Sequence, residues 1–188
     1  MFTRCGAEIS VASTKAFTAQ ALNLYLLHLA LAQKEGSLSH RLLQEKLTTL
    51  TQLPNHMETI ISQSEHIRAV AHYLTGYDHI FFLGRHYQLP IAYEIALKLK
   101  EIAYIHTEAY PAGELKHGPL ALIDEKFLSI LLMPDDGFLD SNRSTLHEIQ
   151  ARGGKVLVIS DTPIPEADRQ ITIPSIDVEL IPLLTNVV

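Results

Sequence analysis

The sequence has 188 residues, 47% hydrophobic and 19% charged, a balance typical of a folded globular protein and not of a disordered one. The net charge is −6 and no run of Lys or Arg occurs, which argues against a nucleic-acid or a membrane partner. The single cysteine, Cys5, excludes an internal disulfide. With no Cys/His cluster either, the sequence predicts no metal site and a reducing, cytoplasmic setting.

The first part of the chain is predicted to be a short strand, a loop and a long helix. Glu8–Val11 alternates in polarity, which predicts the end of a strand, and Ser13-Thr14 can cap a helix. The helix is expected from Lys15 to Gln33 and ends before Gly36. It is apolar on nearly every side, so we expect burial on two sides, between layers, between domains or in a subunit interface.

Residues 38–75 are predicted to be helical throughout, in two or three pieces broken near Pro54 and around Ser64. Their apolar residues recur with helical spacing, from Leu42 onward. We interpret them as a helical connection into a second unit of the chain.

From Asp78 the pattern changes to alternating strands and helices, which predicts an α/β fold with a mostly parallel sheet and helices on both faces. The predicted strands are His79–Leu83, Ala103–Glu108, Phe127–Met133, Lys155–Ser160 and Gln170–Ile173. Helices are expected near Pro90, over Leu139–Arg152 and from Leu180. Ligands of such sheets bind at the carboxyl ends of the strands, where Gly84-Arg85-His86 and the loop 111–118 should lie.

The most informative segment is Ala92–Gly118. Helical spacing puts Glu94, Lys98 and Glu101 on one side of a helix, and a glycine-flanked loop containing His117 follows. Carboxylates, a lysine and a histidine are sufficient to move protons next to a carbonyl. Glu101 could be a general base, with Lys98 one turn back to hold its charge. The alternative is an ordinary surface Lys–Glu pair on a helix, without a catalytic role.

A second candidate site is the turn Val11-Ala12-Ser13 before the first long helix. The free N–H groups of a helix start, together with hydroxyl groups, can bind an anion or a sugar hydroxyl. The alternative is an ordinary Ser/Thr helix cap.

Three segments carry a resemblance to a known family: residues 8–20, 95–123 and 152–161, reading EISVASTKAFTAQ, IALKLKEIAYIHTEAYPAGELKHGPLALI and RGGKVLVISD. In these segments the chain resembles the isomerase domain of glucosamine-6-phosphate synthases (glutamine–fructose-6-phosphate aminotransferases). The resemblance extends over essentially the whole chain in order.

The resemblance implies a three-layer αβα sugar isomerase (SIS) fold with a mostly parallel, five-stranded sheet. Residues 1–63 would be the end of a first SIS subdomain with linking helices, and residues 64–188 would be most of a second. It implies aminotransferase and isomerase chemistry in cytoplasmic hexosamine synthesis, from fructose-6-phosphate and glutamine-derived ammonia to glucosamine-6-phosphate. It also implies no cofactor, a homodimer, and a glutaminase domain elsewhere in the full-length protein.

The resemblance also assigns roles to individual residues. Glu101 matches the glutamate that moves a proton between C1 and C2 of the sugar, and Lys98 matches a lysine near it. His117 matches the histidine that opens the sugar ring and reaches the site of a neighbouring subunit. Val11, Ala12 and Ser13 match the segment that contacts fructose-6-phosphate.

The chain also departs from the family pattern. The glutaminase domain, the Ser/Thr-rich phosphate loop of the first subdomain and the C-terminal lysine are missing from this sequence, whose last lysine is Lys155. His86 and Ile95 stand where the family has glycine. We therefore expect no full synthase activity from this chain by itself. Two alternatives remain open: a non-catalytic sugar-phosphate-binding SIS module, and a SIS enzyme that deaminates or deglycates sugar phosphates.

Overall fold

The computed structural model describes residues 2–188, which contain seven α-helices and five β-strands. The helices are α1 (Lys15–Lys34), α2 (His40–Leu50), α3 (Leu53–Ser62), α4 (Ser64–Leu74), α5 (Gln88–Ala103), α6 (Leu139–Gln150) and α7 (Ile181–Thr185). The strands are β1 (His79–Gly84), β2 (His106–Pro111), β3 (Leu128–Leu132), β4 (Lys155–Ser160) and β5 (Arg169–Thr172). Two short 3₁₀ helices, Ala112–His117 and Pro119–Leu122, connect β2 to β3.

The five strands form one all-parallel sheet in the order β2-β1-β3-β4-β5. The chain passes from β1 outward to β2, then returns across β1 to build the other half of the sheet. The residues of β1 and β3 are almost continuously apolar and buried, as expected for strands covered on both faces.

One face of the sheet is covered by α5, by the helices α3 and α4, and by α7. Ile80, Phe82 and Ile130 point into this layer from the strands, and Ile91 and Ala96 meet them from α5. Burial of this apolar surface away from water is the main force that holds the helices on the sheet.

The opposite face of the sheet packs against α6 and the 3₁₀ helix Ala112–His117. Phe81, Leu83 and Val158 contribute the strand side of this second core, and Leu146 and Ile149 of α6 contribute the helix side. The predicted three-layer αβα architecture with a parallel five-stranded sheet is therefore confirmed.

The helical region before the sheet also follows the sequence signals. The Ser39 hydroxyl caps α2 by accepting a hydrogen bond from the Leu42 N–H, at 3.2 Å. Pro54 lies in the first turn of α3, where its missing N–H costs nothing, and the break at Gln63 separates α3 from α4. Gly36, just after α1, has a φ of 75°, a conformation that glycine adopts without steric cost.

One prediction for the first 35 residues is wrong. Residues 8–11 form no strand; they are exposed and irregular. Helix α1 has one fully buried residue within this chain, Leu29, so burial of a second side between domains or in a subunit interface stays a prediction. Leu24, Leu27 and Leu31 remain 67%, 44% and 48% exposed, which leaves an apolar face of α1 open.

The second strand begins three residues later than predicted. Helix α5 continues through Ala103 and ends at Tyr104, whose φ of 57° is left-handed. Only after this turn does the chain become extended, at His106. No helix in residues 2–188 is both long enough and apolar enough to cross a membrane.

Candidate functional site

Lys98 and Glu94 form a mostly buried ion pair on α5. The Lys98 ammonium donates to a Glu94 carboxylate oxygen, and their side chains are only 14% and 20% exposed. The ammonium also lies 5.8 Å from the centre of the Phe17 ring of α1. Two charges removed this far from water are costly unless they stay together, so the pair is more than a surface contact.

Glu101 lies about one turn beyond Lys98, toward the end of α5. Its side chain is half-buried, and within residues 2–188 its carboxylate makes no hydrogen bond and no ion pair. Lys98 therefore pairs with Glu94 and not with Glu101. This leaves the Glu101 carboxylate available to a substrate.

The segment Val11-Ala12-Ser13 enters α1 close to this pair. Ala12 is 2% exposed and anchors the segment, whereas Val11 is 87% exposed. Thr14, the residue that precedes α1, makes no side-chain capping bond, so the first N–H groups of the helix remain available.

A cavity of about 350 Å³ joins the start of α1 to α5. Thr14 and Lys98 are among its polar lining residues, and Asn186 lies beside them. The remaining walls are mostly apolar side chains of the sheet, α4 and α5, and Ile95 is one of them. Ile95 thus fills space in the core against the sheet.

His117 is the last residue of the 3₁₀ helix Ala112–His117, which follows β2 directly. Its side chain is 75% exposed, and its Nε2 lies 3.9 Å from an oxygen of Glu114. The neighbouring Lys116 pairs with Glu148 of α6 at 2.8 Å, which fixes this end of the 3₁₀ helix to the second core.

The structure does not bring Glu101 and His117 together within one chain. Helix α5 runs antiparallel to the strands, so its end, with Glu101, lies at the amino edge of the sheet. His117 follows the end of β2, at the carboxyl edge. The two edges are about 20 Å apart, since β2 has six residues and each residue of a strand advances about 3.3 Å.

The turn Gly84-Arg85-His86 lies at the carboxyl edge, as predicted. His86 has a φ of 49°, which explains why a glycine would suit this position. Its ring lies between those of Tyr87 and Phe138, with centroids 3.9 and 5.7 Å away. His86 therefore keeps a backbone conformation that suits glycine and adds an aromatic ring at the carboxyl edge of the sheet.

Sequence reasoning missed the polar partners of Arg85. Its Nε donates to the Asn142 side-chain oxygen at 3.0 Å, and one terminal nitrogen donates to the Thr145 hydroxyl at 3.2 Å. Asn142 and Thr145 are 1% and 3% exposed. Two polar residues on the buried face of a predicted helix were the signal that could have revealed them.

The sequence also did not predict a wide cavity of about 940 Å³ at the amino edge of the sheet. Its lining includes His79 and His106, whose Nδ1 atoms are 3.2 Å apart, and Glu108. In the described part of the chain, no three His, Cys, Asp or Glu side chains are placed to hold a metal ion.

Comparisons with known proteins identify the fold and the group of relatives. The family model described as "SIS domain" matches residues 73–175. The C-terminal domain of glucosamine-fructose-6-phosphate aminotransferase from Francisella tularensis superposes with a TM-score of 0.92 at 35% identity, over 98% of this chain and 53% of that one.

Curated relatives with the same printed activity cover most of the sequence. The chain is 44% identical to glutamine–fructose-6-phosphate aminotransferase [isomerizing] of Legionella pneumophila over 98% of its own length, and 48% identical to that of Bordetella pertussis over 85%. It spans only 30% and 26% of the lengths of those two proteins.

Proposed function

The chain belongs to the SIS domain family, and from that premise we propose that it is part of the isomerase domain of an enzyme that makes glucosamine-6-phosphate. The substrates would be fructose-6-phosphate and ammonia released from glutamine. Residues 1–63 would complete a first SIS subdomain, and residues 64–188 would form most of a second. The support is the high identity over nearly the whole chain to relatives with this printed activity.

The chemistry requires one group that opens the sugar ring and one that moves a proton between carbons. Ring opening takes the proton from the C2 hydroxyl and returns a proton to the ring oxygen, which exposes the ketone. Ammonia then adds to C2 and water leaves, giving an imine. Transfer of a proton from C1 to C2, together with loss of the C1 hydroxyl proton and gain of a proton by the nitrogen, completes the aldose amine, so one molecule of water is lost overall.

In this proposal Glu101 is the base that removes the C1 proton and delivers it to C2. The observation that carries it is the state of that carboxylate: half-buried, without a partner in residues 2–188, and one turn from the Glu94–Lys98 pair. Because Lys98 is already neutralised by Glu94, the Glu101 carboxylate is not consumed by an internal ion pair. It can therefore accept a proton from the substrate.

Val11, Ala12 and Ser13 would contact the sugar phosphate in the same site. Their support is the position of the neighbouring Thr14 and Lys98 on one cavity, which places the start of α1 beside α5. The N–H groups at the start of α1 favour a negatively charged group by their dipoles.

His117 would open the ring in the site of a second copy of the chain. This assignment follows from the separation of the two sheet edges, because a histidine at one edge cannot serve the base at the other edge of the same chain. A homodimer is therefore part of the proposal, with His117 of each copy reaching toward Glu101 of the other.

The test is the Glu101→Gln variant in the full-length protein. We expect glucosamine-6-phosphate formation to fall by roughly 10²–10⁴-fold, while glutamine hydrolysis is retained, because only the proton transfer loses its base. Glu58→Gln is a suitable control, since Glu58 is an exposed carboxylate on α3. Unchanged formation of the sugar product by the Glu101→Gln variant would rule out this role.

Binding and product formation together distinguish the proposed enzyme from a non-catalytic module that only binds a sugar phosphate. Fructose-6-phosphate should still raise the melting temperature of the Glu101→Gln protein, because binding does not need the base. Thermal stabilisation by the sugar phosphate, with no product formed by the wild-type full-length protein, would favour the binding module instead.

A further inference from the structure

The order of the strands defines a second crevice, away from Glu101. The chain leaves β1 to one side for β2 and to the other side for β3, so the carboxyl ends of β1 and β3 flank the point where the strand order reverses. In open parallel sheets, this crevice is where ligands bind. The loops that border it are 85–87 after β1 and 133–138 after β3.

Arg85 follows β1 at this crevice, and its guanidinium is hydrogen-bonded to α6. Asn142 and Thr145, both buried on α6, accept hydrogen bonds from Nε and from one terminal nitrogen of its guanidinium. The Asn142 amide oxygen thus accepts its hydrogen bond from Arg85. The Asn142 amide nitrogen has no hydrogen-bond partner in the residues described. Two buried side chains thus fix the plane of the guanidinium.

The charge of Arg85 has no counter-charge within residues 2–188. No carboxylate lies within 4.0 Å of its nitrogens, whereas Lys46, Lys98, Lys116 and Lys155 are all paired with one. The other terminal nitrogen, Nη1, makes no hydrogen bond in this part of the chain. A half-buried guanidinium with an unused donor edge suits two-point binding of a phosphate group.

Gly113 leaves room for the Nη1 atom of Arg85. A Cβ atom at residue 113 would lie 2.8 Å from Nη1 of Arg85, closer than real Cβ contacts. The absence of a side chain therefore lets the guanidinium lie against the 3₁₀ helix Ala112–His117.

We propose that Arg85 anchors a second site, which binds the phosphate group of a small molecule at the crevice between β1 and β3. Within one chain this site is separate from Glu101, because it lies at the opposite edge of the sheet. It does not depend on the proposed enzymatic function. The alternative is that Arg85 only braces the turn after β1 against α6.

Binding of inorganic phosphate to this chain is the direct test, measured at constant ionic strength by thermal shift and by amide NMR signals of Gly113 and Thr145. We expect saturable binding to the wild-type protein, weakened at least tenfold in Arg85→Gln. The Arg152→Gln protein is the matched control, since Arg152 is exposed beyond the end of α6, at the amino edge. It should bind like wild type.

The Gly113→Ala variant tests the same site without changing any charge. Its Cβ should displace Nη1 and weaken phosphate binding several-fold. If Arg85→Gln does not fold, phosphate binding by Gly113→Ala tests the proposal instead. No saturable binding to wild type, or equal binding to wild type and Gly113→Ala, would overturn the proposal and leave Arg85 as a brace.

Competition by fructose-6-phosphate, with fructose as the control, shows whether the phosphate group bound at this site is that of the sugar phosphate. If the sugar phosphate belongs here, it should compete with inorganic phosphate and lose affinity in Arg85→Gln, whereas fructose should not compete. If its binding survives Arg85→Gln while that of inorganic phosphate is lost, the Arg85 site holds and the sugar phosphate binds elsewhere. Neither binding result changes the test of the proposed enzymatic function, which is the loss of glucosamine-6-phosphate formation in Glu101→Gln.

Discussion

At the scale of single residues, the carboxylate of Asp168 couples stability to pH. Burial by itself would raise its pKa, but hydrogen bonds from the Val156 N–H at 2.9 Å and from the Lys155 ammonium at 3.1 Å outweigh burial and lower the pKa. A lowered pKa in the folded state means that the ionised form stabilises the fold. That stabilisation is present above the unfolded pKa, near 4, and is lost as the pH falls through the folded value.

We therefore expect Asp168→Asn to lower the free energy of unfolding by about 1 kcal/mol at pH 7, a modest value because the group is partly exposed to solvent. Urea unfolding followed by circular dichroism, repeated between pH 7 and pH 3, measures the difference. It should shrink below about pH 4, because there the carboxylate of the unfolded chain takes up a proton first, and that of the folded chain follows only at lower pH. Asp78→Asn, which changes an exposed aspartate, should show no such trend. A difference that stays constant with pH would contradict the assignment.

The sequence could predict which residues share a helix face but not which of them bond. Helical spacing correctly puts Glu94 and Lys98 a turn apart, and the structure shows that they pair. The Phe17 ring of α1 also lies 5.8 Å from this ammonium, so a second segment of the chain borders the pair. A contact between segments so distant in sequence leaves no periodic signal.

At the scale of elements, the turn from β1 into α5 depends on Gly84. A Cβ atom there would lie 2.5 Å from the Gln88 carbonyl oxygen and 2.6 Å from its carbon, and both are backbone atoms that cannot rotate away. We expect Gly84→Ala to cost about 2–3 kcal/mol of stability, because the start of α5 must move off the sheet.

Gly76→Ala is the matched control for this variant. A Cβ at residue 76 would meet the Tyr73 carbonyl oxygen at 3.5 Å, which is ordinary contact, so its cost should stay well below that of Gly84→Ala. Thermal unfolding of both variants measures the difference. Equal melting temperatures for the two would show that α5 can shift without loss.

The elements of the sheet region were predictable because burial on both faces makes their strands continuously apolar. The apolar run Phe127–Met133 contains β3, and the predicted Lys155–Ser160 coincides with β4. The second strand was misplaced because His106–Pro111, HTEAYP, carries polar side chains on an edge strand, so its apolar pattern is weak. The polar residues Asn142 and Thr145 on the buried face of α6 were a signal of a buried polar contact, but their pairing with Arg85 depends on how α6 docks.

At the scale of the whole molecule, the proposed site is divided between two copies of the chain. We predict that full-length Glu101→Gln and His117→Ala proteins are each nearly inactive in sugar isomerisation. Co-expression of the two should restore about a quarter of wild-type activity, because half of the dimers are mixed and each mixed dimer regains one intact site. The assay is formation of glucosamine-6-phosphate by the purified mixture.

Failure of the mixture to recover activity would place Glu101 and His117 in different functions or in the site of one copy. Co-expression of Glu101→Gln with a double Glu101→Gln/His117→Ala variant is the control, since no mixed dimer of these chains regains an intact site. The exposed Leu24, Leu27 and Leu31 on α1 are consistent with a large partner surface, because monomers rarely expose such a group of apolar side chains together.

The strand order also affects how the chain must fold as it is synthesised. β1 is synthesised before the other four strands of this sheet, yet it has neighbours on both sides, and the second of them, β3, ends only at Leu132. Until then the nascent chain displays Ile80-Phe81-Phe82-Leu83 along an open strand edge, a sequence type that readily associates with other chains. A chaperone that binds short apolar segments would therefore find a target here until β3 has been synthesised.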